Sequence, residues 1–298
     1  MASAVRLNGR RVNKHLYIFL LTAVLSIGAA AQSMDFLRQS EIVLYGGAMN
    51  YIGDLNNQSA FSTMHAAGGV GLRTRLDNRW AVRVGAEYGS ISCEKDYIAR
   101  RNLSFRSNIF EVDALVEFNF RPFGPGATES AWTPYIFGGI GVFHFDPMAQ
   151  YYDKDDNVQW AALQPLHTEG QGTSLYPNRR PYALVQLCMP FGVGVKVRLN
   201  KTFSLTAEYG FRMTWTDYLD DVSTTYVGST LLEAEVLEGE MAARMADRSG
   251  EVEAGYVNAS GIKRGDDALN DWYAFMNVSI GVNLETLLGW ARSKRCKL

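Results

Sequence analysis

A long apolar run is the first thing missing from this 298-residue chain, although 47% of its residues are hydrophobic. Beyond residue 31 no segment approaches the ~20 consecutive apolar residues that a membrane-spanning helix requires, so helical membrane topologies are excluded. An excess of one charge is also missing. The 29 Lys and Arg against 31 Asp and Glu leave a net charge of -2, which signals neither nucleic acid nor an anionic surface as a partner. Histidine is scarce at four, and cysteine scarcer at three. His65, His144 and His167, the histidines beyond residue 31, fall on separate loops or strand ends without a serine or acid at a telling spacing. A nucleophile, its base and an orienting group are therefore not assembled by the sequence, and we expect no enzyme. No glycine loop follows a strand and opens a helix to cradle phosphate, and no cofactor is expected. Asp153, Asp155 and Asp156, with Lys154 among them, lack the spacing of a calcium loop and read as a solvated acidic turn, and Asp220-Asp221 with Asp217 reads the same way.

The beginning of the chain reads as an export signal. Arg10, Arg11 and Lys14 precede an apolar stretch from Leu16 to Gly28 that is too short to span a bilayer and ends in Ala29-Ala30-Ala31. We expect residues 1–31 to be removed. No cysteine lies near that cleavage point, so acylation of the mature amino terminus is not expected.

What the remainder contains is alternation. Val70, Leu72, Thr74 and Leu76 alternate with Gly69, Gly71, Arg73 and Arg75, and Asp77-Asn78 turns the chain into Trp80, Val82, Val84, Ala86 and Tyr88 against Arg83, Gly85 and Glu87. Phe110, Val112, Ala114, Val116, Phe118 and Phe120 oppose Glu111, Asp113, Leu115, Glu117 and Asn119, the sharpest alternation in the chain. Val193, Val195, Val197 and Leu199 alternate with Gly194, Lys196 and Arg198. Asn200-Lys201 then leads into Phe203, Leu205, Ala207, Tyr209 and Phe211, with Glu208 and Arg212 pointing the other way. Trp272, Ala274, Met276, Val278, Ile280 and Val282 alternate with Asn277, Ser279 and Asn283. Two further strands, around Ile42 to Met49 and Trp132 to Phe145, have faces that periodicity cannot assign.

About eight such strands, joined by gaps alternately short and long, form the pattern of a transmembrane antiparallel up-and-down β-barrel, an all-β fold facing lipid outside and a polar lumen inside. Residues 32–290 form this barrel, and 291–298 a tail. With an even strand number both termini lie on the short-turn side, which is periplasmic in an outer membrane, and the long loops are extracellular. An eight-stranded barrel is just wide enough for its own side chains. The expected lumen holds Arg73, Arg75, Arg83, Lys196, Arg198 and Arg212 against Glu87, Glu111, Asp113, Glu117 and Glu208. Buried charges must be paired, so an interior plugged by ion pairs is expected. Of the long connections, Asp54 to Met64, Ser92 to Arg106, Asp146 to Arg180 and Thr214 to Asp271, the last contains a helical pattern from Leu231 to Asp247.

Within these loops the chain resembles a known family. Tyr135 to Phe143 (YIFGGIGVF) with Phe145 and Pro147, Leu163 to Gly172 (LQPLHTEGQG), Pro190 to Lys196, Thr216 to Ser223 (TDYLDDVS) and Gly46 to Asp54 are similar to segments of PorG-like outer-membrane barrels. That resemblance implies a component of the type IX protein secretion machinery. Its partners would be a periplasmic ring of a PorK-like lipoprotein and a PorN-like protein. Cys296, in the tail Ser293-Lys294-Arg295-Cys296-Lys297-Leu298, would then face an oxidising compartment, and an odd cysteine there points to an intermolecular disulfide with the ring, docked by Lys294, Arg295 and Lys297. Cys93 and Cys188 are a second possible pair, within the chain, if their Cα atoms come within ~7 Å. The competing readings are a passive small-solute channel and a loop-mediated adhesin or receptor.

Overall fold

The computed structural model describes residues 34–55, 63–94, 98, 100–124 and 129–288. Helix α1 (Met34–Gln39) leads into β1 (Ser40–Ile52), followed by β2 (His65–Arg75), β3 (Trp80–Cys93), β4 (Phe105–Asn119) and β5 (Trp132–His144). A small hairpin, β6 (Met148–Tyr152) and β7 (Val158–Ala162), interrupts the long connection to β8 (Val185–Arg198) and β9 (Phe203–Thr214). Helices α2 (Ser229–Glu235) and α3 (Gly239–Ala246) precede β10 (Trp272–Asn283). Antiparallel pairing runs β1-β2-β3-β4-β5-β8-β9-β10, and β10 pairs back to β1 from Glu41 opposite Asn283 to Ile52 opposite Trp272. The chain is therefore a closed eight-stranded antiparallel barrel. Closure leaves the wall without an open strand edge, the condition for a sheet to sit in hydrocarbon.

The outer wall is apolar in the way lipid requires. Val70, Val84, Val116, Ile136, Ile140, Val193, Val278 and Ile280 all stand exposed on it. Trp80 and Trp132 open strands from the short-turn end, whereas Trp215 and Trp272 flank the opposite end, placing aromatic side chains at both rims. The strands run 11–15 residues, more than the 9–11 a bilayer needs, so they project beyond it. No helix among the described residues is long and apolar enough to cross a membrane.

The two faces that periodicity left open are settled by aromatic packing. Val43, Tyr45, Met49 and Tyr51 of β1 point inward, as do Tyr135, Phe137 and Phe143 of β5. Both sets of alternate residues are apolar because large rings fill part of the lumen. The rings lie over inward-facing glycines on other strands. A methyl group at Gly210 would sit 2.8 Å from Phe137 Cζ, and one at Gly194 would sit 2.6 Å from Tyr135 Cε1. These glycines make room for the lumen's aromatics.

One reading of the long loops is corrected. The expected helix from Leu231 to Asp247 is two short helices, because Val236 is extended (φ -97°, ψ 142°) and its N–H donates to the Leu232 carbonyl, closing the first. The connection from Asp146 to Arg180 holds the β6-β7 hairpin, whose turn is built by Asp153 Oδ1 accepting the N–H groups of Asp155 and Asn157, both at 2.9 Å. That is the solvated acidic turn expected there. Ala274, expected on the outer face, is buried.

Candidate functional site

Charged side chains converge in the lumen from strands on opposite walls, since alternation aims them all inward. Glu117 of β4 is fully buried and accepts from three cations: Arg73 at 3.0 Å, Arg83 at 3.0 Å and Lys196 at 2.5 Å. Glu208 of β9 is held by Arg83 and by the Tyr135 hydroxyl, and Asn277 donates to it at 3.3 Å. Arg73 also reaches Glu41 at 3.4 Å, and Arg212 pairs with Glu111 at 3.1 Å. Each of these ions loses several kcal/mol of hydration on burial, which the mutual contacts offset. The lumen is filled by its own side chains.

Of the charges expected to pair inside, seven do so: Arg73, Arg83, Glu111, Glu117, Lys196, Glu208 and Arg212. Arg75 and Arg198 instead close the short-turn end. Arg75 pairs with Glu129 at 3.8 Å, and Arg198 donates to the carbonyls of Gly124 and Glu129. Glu87 and Asp113 have no ion-pair partner among the described residues. Sequence reading missed Glu41, Tyr135 and Tyr273 as lumen partners. Glu41 precedes a stretch of β1 with no polar alternation, and the tyrosines look like ordinary core residues.

The long-loop side carries a second buried polar centre. Arg264 is 2% exposed, and its guanidinium meets Glu169 at 3.0 Å, the Asp221 carbonyl at 2.5 Å and the Ala246 carbonyl at 3.1 Å. Glu169 in turn accepts the N–H groups of Ser223 and Thr224, each at 2.9 Å. Asp221 accepts Thr168 Oγ1 at 2.5 Å and the Tyr182 hydroxyl at 2.7 Å. The segments 163–172 and 216–223 are thus locked to one another. The Tyr182 ring stacks between Phe145 and Tyr218, and Tyr51 at the end of β1 ties the barrel to this dome. His167 sits in left-handed backbone (φ 49°), and its carbonyl accepts the Gly170 N–H at 2.7 Å, so it shapes the loop.

The Tyr51 hydroxyl lies 2.6 Å from Asp220 and 3.0 Å from Asp271. One hydroxyl proton cannot serve two carboxylates, so one acid must itself be protonated. Burial pushes Asp220 and Asp271 well above the usual carboxylate range, and likewise raises Asp217 to about 8 and Asp221 to about 6. For an acid with a raised folded-state pKa, the stabilisation is fully present below its unfolded value. It is lost as pH rises through the folded value. The dome is therefore expected to loosen as pH climbs through about 6 and then about 8. Hydrogen exchange over Thr216 to Ser223, corrected for its intrinsic pH dependence, should accelerate across that window, and unchanged protection from pH 5 to 9 would refute this.

His65 Nε2 and Ser92 Oγ lie 2.6 Å apart, with Ser92 buried. Cys93 and Cys188 are both buried, and no disulfide joins them. Cys93 donates to the Leu55 carbonyl at 3.3 Å, while Cys188 sits beside Tyr273 and Glu111 in the lumen. They do not form the possible intrachain disulfide, because β3 and β8 occupy different parts of the wall. Cys296, Lys294, Arg295 and Lys297 lie outside the described residues.

Closure, the apolar girdle and the polar lumen together define an outer-membrane-type β-barrel. The chain belongs to the family described as a domain of unknown function (DUF6089), whose model matches residues 14–165. No curated protein matches it. Among solved structures, the attachment invasion locus protein Ail of Yersinia pestis is similar at 8% identity, with a TM-score of 0.36, over 82% of this chain and 96% of that one. Neisserial surface protein A is similar at 10% identity and a TM-score of 0.38, over 82% and 97%. The outer membrane protein OprG of Pseudomonas aeruginosa is similar at 11% identity and a TM-score of 0.37, over 84% and 100%.

Proposed function

We propose that this chain is a non-enzymatic scaffold, a PorG-like component of the type IX protein secretion machinery. In this reading lipid of the outer membrane surrounds the girdle, and the short-turn side faces the periplasm. There it anchors a ring of a PorK-like lipoprotein and a PorN-like protein. The observation that carries the scaffold role is the filled lumen: Glu117 and the three cations on it occupy the space a solute would need, which argues against a passive channel. The sequence similarity in segments 163–172 and 216–223 supports the choice of machinery. The tail with Cys296 supplies the contact, covalent through its thiol and ionic through Lys294, Arg295 and Lys297.

A pull-down from detergent-solubilised outer membrane, run with and without reductant, tests it. Full-length protein should retain ring subunits, Cys296→Ser should lose the reductant-sensitive band, and deletion of Ala291 to Leu298 should lose the ring while the barrel stays folded. Retention of partners after that deletion would remove the tail from the mechanism. An adhesin or receptor is the second reading, favoured by Leu175, Leu237, Val257 and Leu269, which stand exposed on the dome. Surface binding that survives tail deletion is its signature.

A further inference from the structure

Four buried lumen cations, Arg73, Arg83, Lys196 and Arg212, face six carboxylates: Glu41, Glu87, Glu111, Asp113, Glu117 and Glu208. The imbalance is localised. Glu87 and Glu111 stand directly opposite one another in the β3-β4 register, with Asp113 one pleat further along β4. Like charges directly opposite one another destabilise a sheet. Nevertheless, one carboxylate oxygen from each of the three lies within 4.8 Å of the other two. All three side chains are more than nine-tenths buried.

Only Glu111 is satisfied, by Arg212 at 3.1 Å and the Tyr273 hydroxyl at 3.0 Å. Both oxygens of Asp113 and Oε2 of Glu87 are buried without a hydrogen-bond partner. The wall beside them is a glycine, which lets the carboxylates come close to the main chain. A methyl group at Gly85 would lie 2.5 Å from Glu87 Oε1 and 2.9 Å from Asp113 Oδ1. Unpartnered buried oxygens cost far more than satisfied ones, so a further partner for them is expected.

We propose that Glu87, Glu111 and Asp113 hold a hard divalent cation, Ca²⁺ in the first instance, as a structural pin between β3 and β4. The donors are all carboxylate oxygens, the ligands such ions take. With Ca²⁺–O distances of about 2.3–2.6 Å, ligands of one ion lie no more than roughly 5 Å apart, and the three donors here fall within 4.8 Å of one another. The charge matches as well: Arg212 neutralises Glu111, and two negative charges remain for a divalent ion. The surrounding wall would trap the ion once the barrel has closed.

The full-length chain, unfolded in urea with chelator and refolded into detergent micelles with Ca²⁺, is the material for the test. After desalting, elemental analysis should find one Ca²⁺ per chain, and the urea midpoint should exceed that of protein refolded with chelator. The isosteric double variant Glu87→Gln with Asp113→Asn should hold no Ca²⁺, and its midpoint should be indifferent to chelator. Wild-type protein that retains no stoichiometric Ca²⁺, or a double variant that retains as much, overturns the site. If the double variant does not fold, the wild-type stoichiometry and midpoint shift still decide the matter. A proton shared between the acids would leave the wild type without calcium.

Discussion

Glu117→Ala is expected to cost the barrel about 3–5 kcal/mol, the range for removing one partner from a buried ion pair. The reason is the number of charges left behind. Glu117 is the one carboxylate that meets Arg73, Arg83 and Lys196 together. Without it Arg73 and Arg83 share Glu208 and Glu41, and Lys196 keeps the Asn119 side chain at 3.0 Å and the face of the Tyr135 ring at 4.1 Å. The contrast is the exposed Arg38–Glu285 pair at 3.0 Å, whose loss is expected to change stability by less than about 1 kcal/mol because water screens it. Urea unfolding in detergent micelles measures both. Adding Lys196→Met to Glu117→Ala removes one of the stranded charges and should restore part of the loss, a coupling that a double-mutant cycle reads directly. If Glu117→Ala unfolded at the wild-type midpoint, the lumen network would not hold the wall together.

Arg264→Ala has the same order of cost, about 3–5 kcal/mol, but a different address. It strands Glu169 and Asp221, both fully buried, and removes the donor to the Ala246 carbonyl. The segments 163–172 and 216–223 would lose the cation between them while the barrel's own hydrogen bonds stay intact. Limited proteolysis should therefore cut within the β9-β10 connection of the variant and spare the strands, and heat-modifiable gel migration should still report a folded barrel. Arg264→Lys should rescue little, since one ammonium cannot reproduce the divergent donors of the guanidinium. A variant dome as resistant as wild type would mean that aromatic stacking around Tyr182 carries the connection instead.

The two centres differ in how far sequence could reveal them. In the lumen, Glu111, Asp113 and Glu117 sit at alternate positions between exposed apolar residues, so their shared face was readable from β4 alone. Their partners were readable only as types, because choosing Lys196 and Arg73 for Glu117 requires the barrel to close. The dome was less legible. Glu169, Asp221 and Arg264 lie in irregular chain separated by tens of residues, where no periodicity links one to another, and Asp220-Asp221 reads as a solvated acidic pair until tertiary contacts bury it. The split of the helical pattern at Val236 has the same origin, since local propensity continued where packing imposed an extended residue.

Alternation of apolar and polar residues, and the spacing of short and long gaps, determined from sequence alone that this chain forms a closed barrel with a charged interior. Both follow from the two-residue repeat of a strand between lipid and lumen. Which charges meet, which acids remain without a cation, and how two distant loops lock around Arg264 were decided only in three dimensions. Those contacts join residues far apart in the chain, and their energies depend on the burial that closure creates.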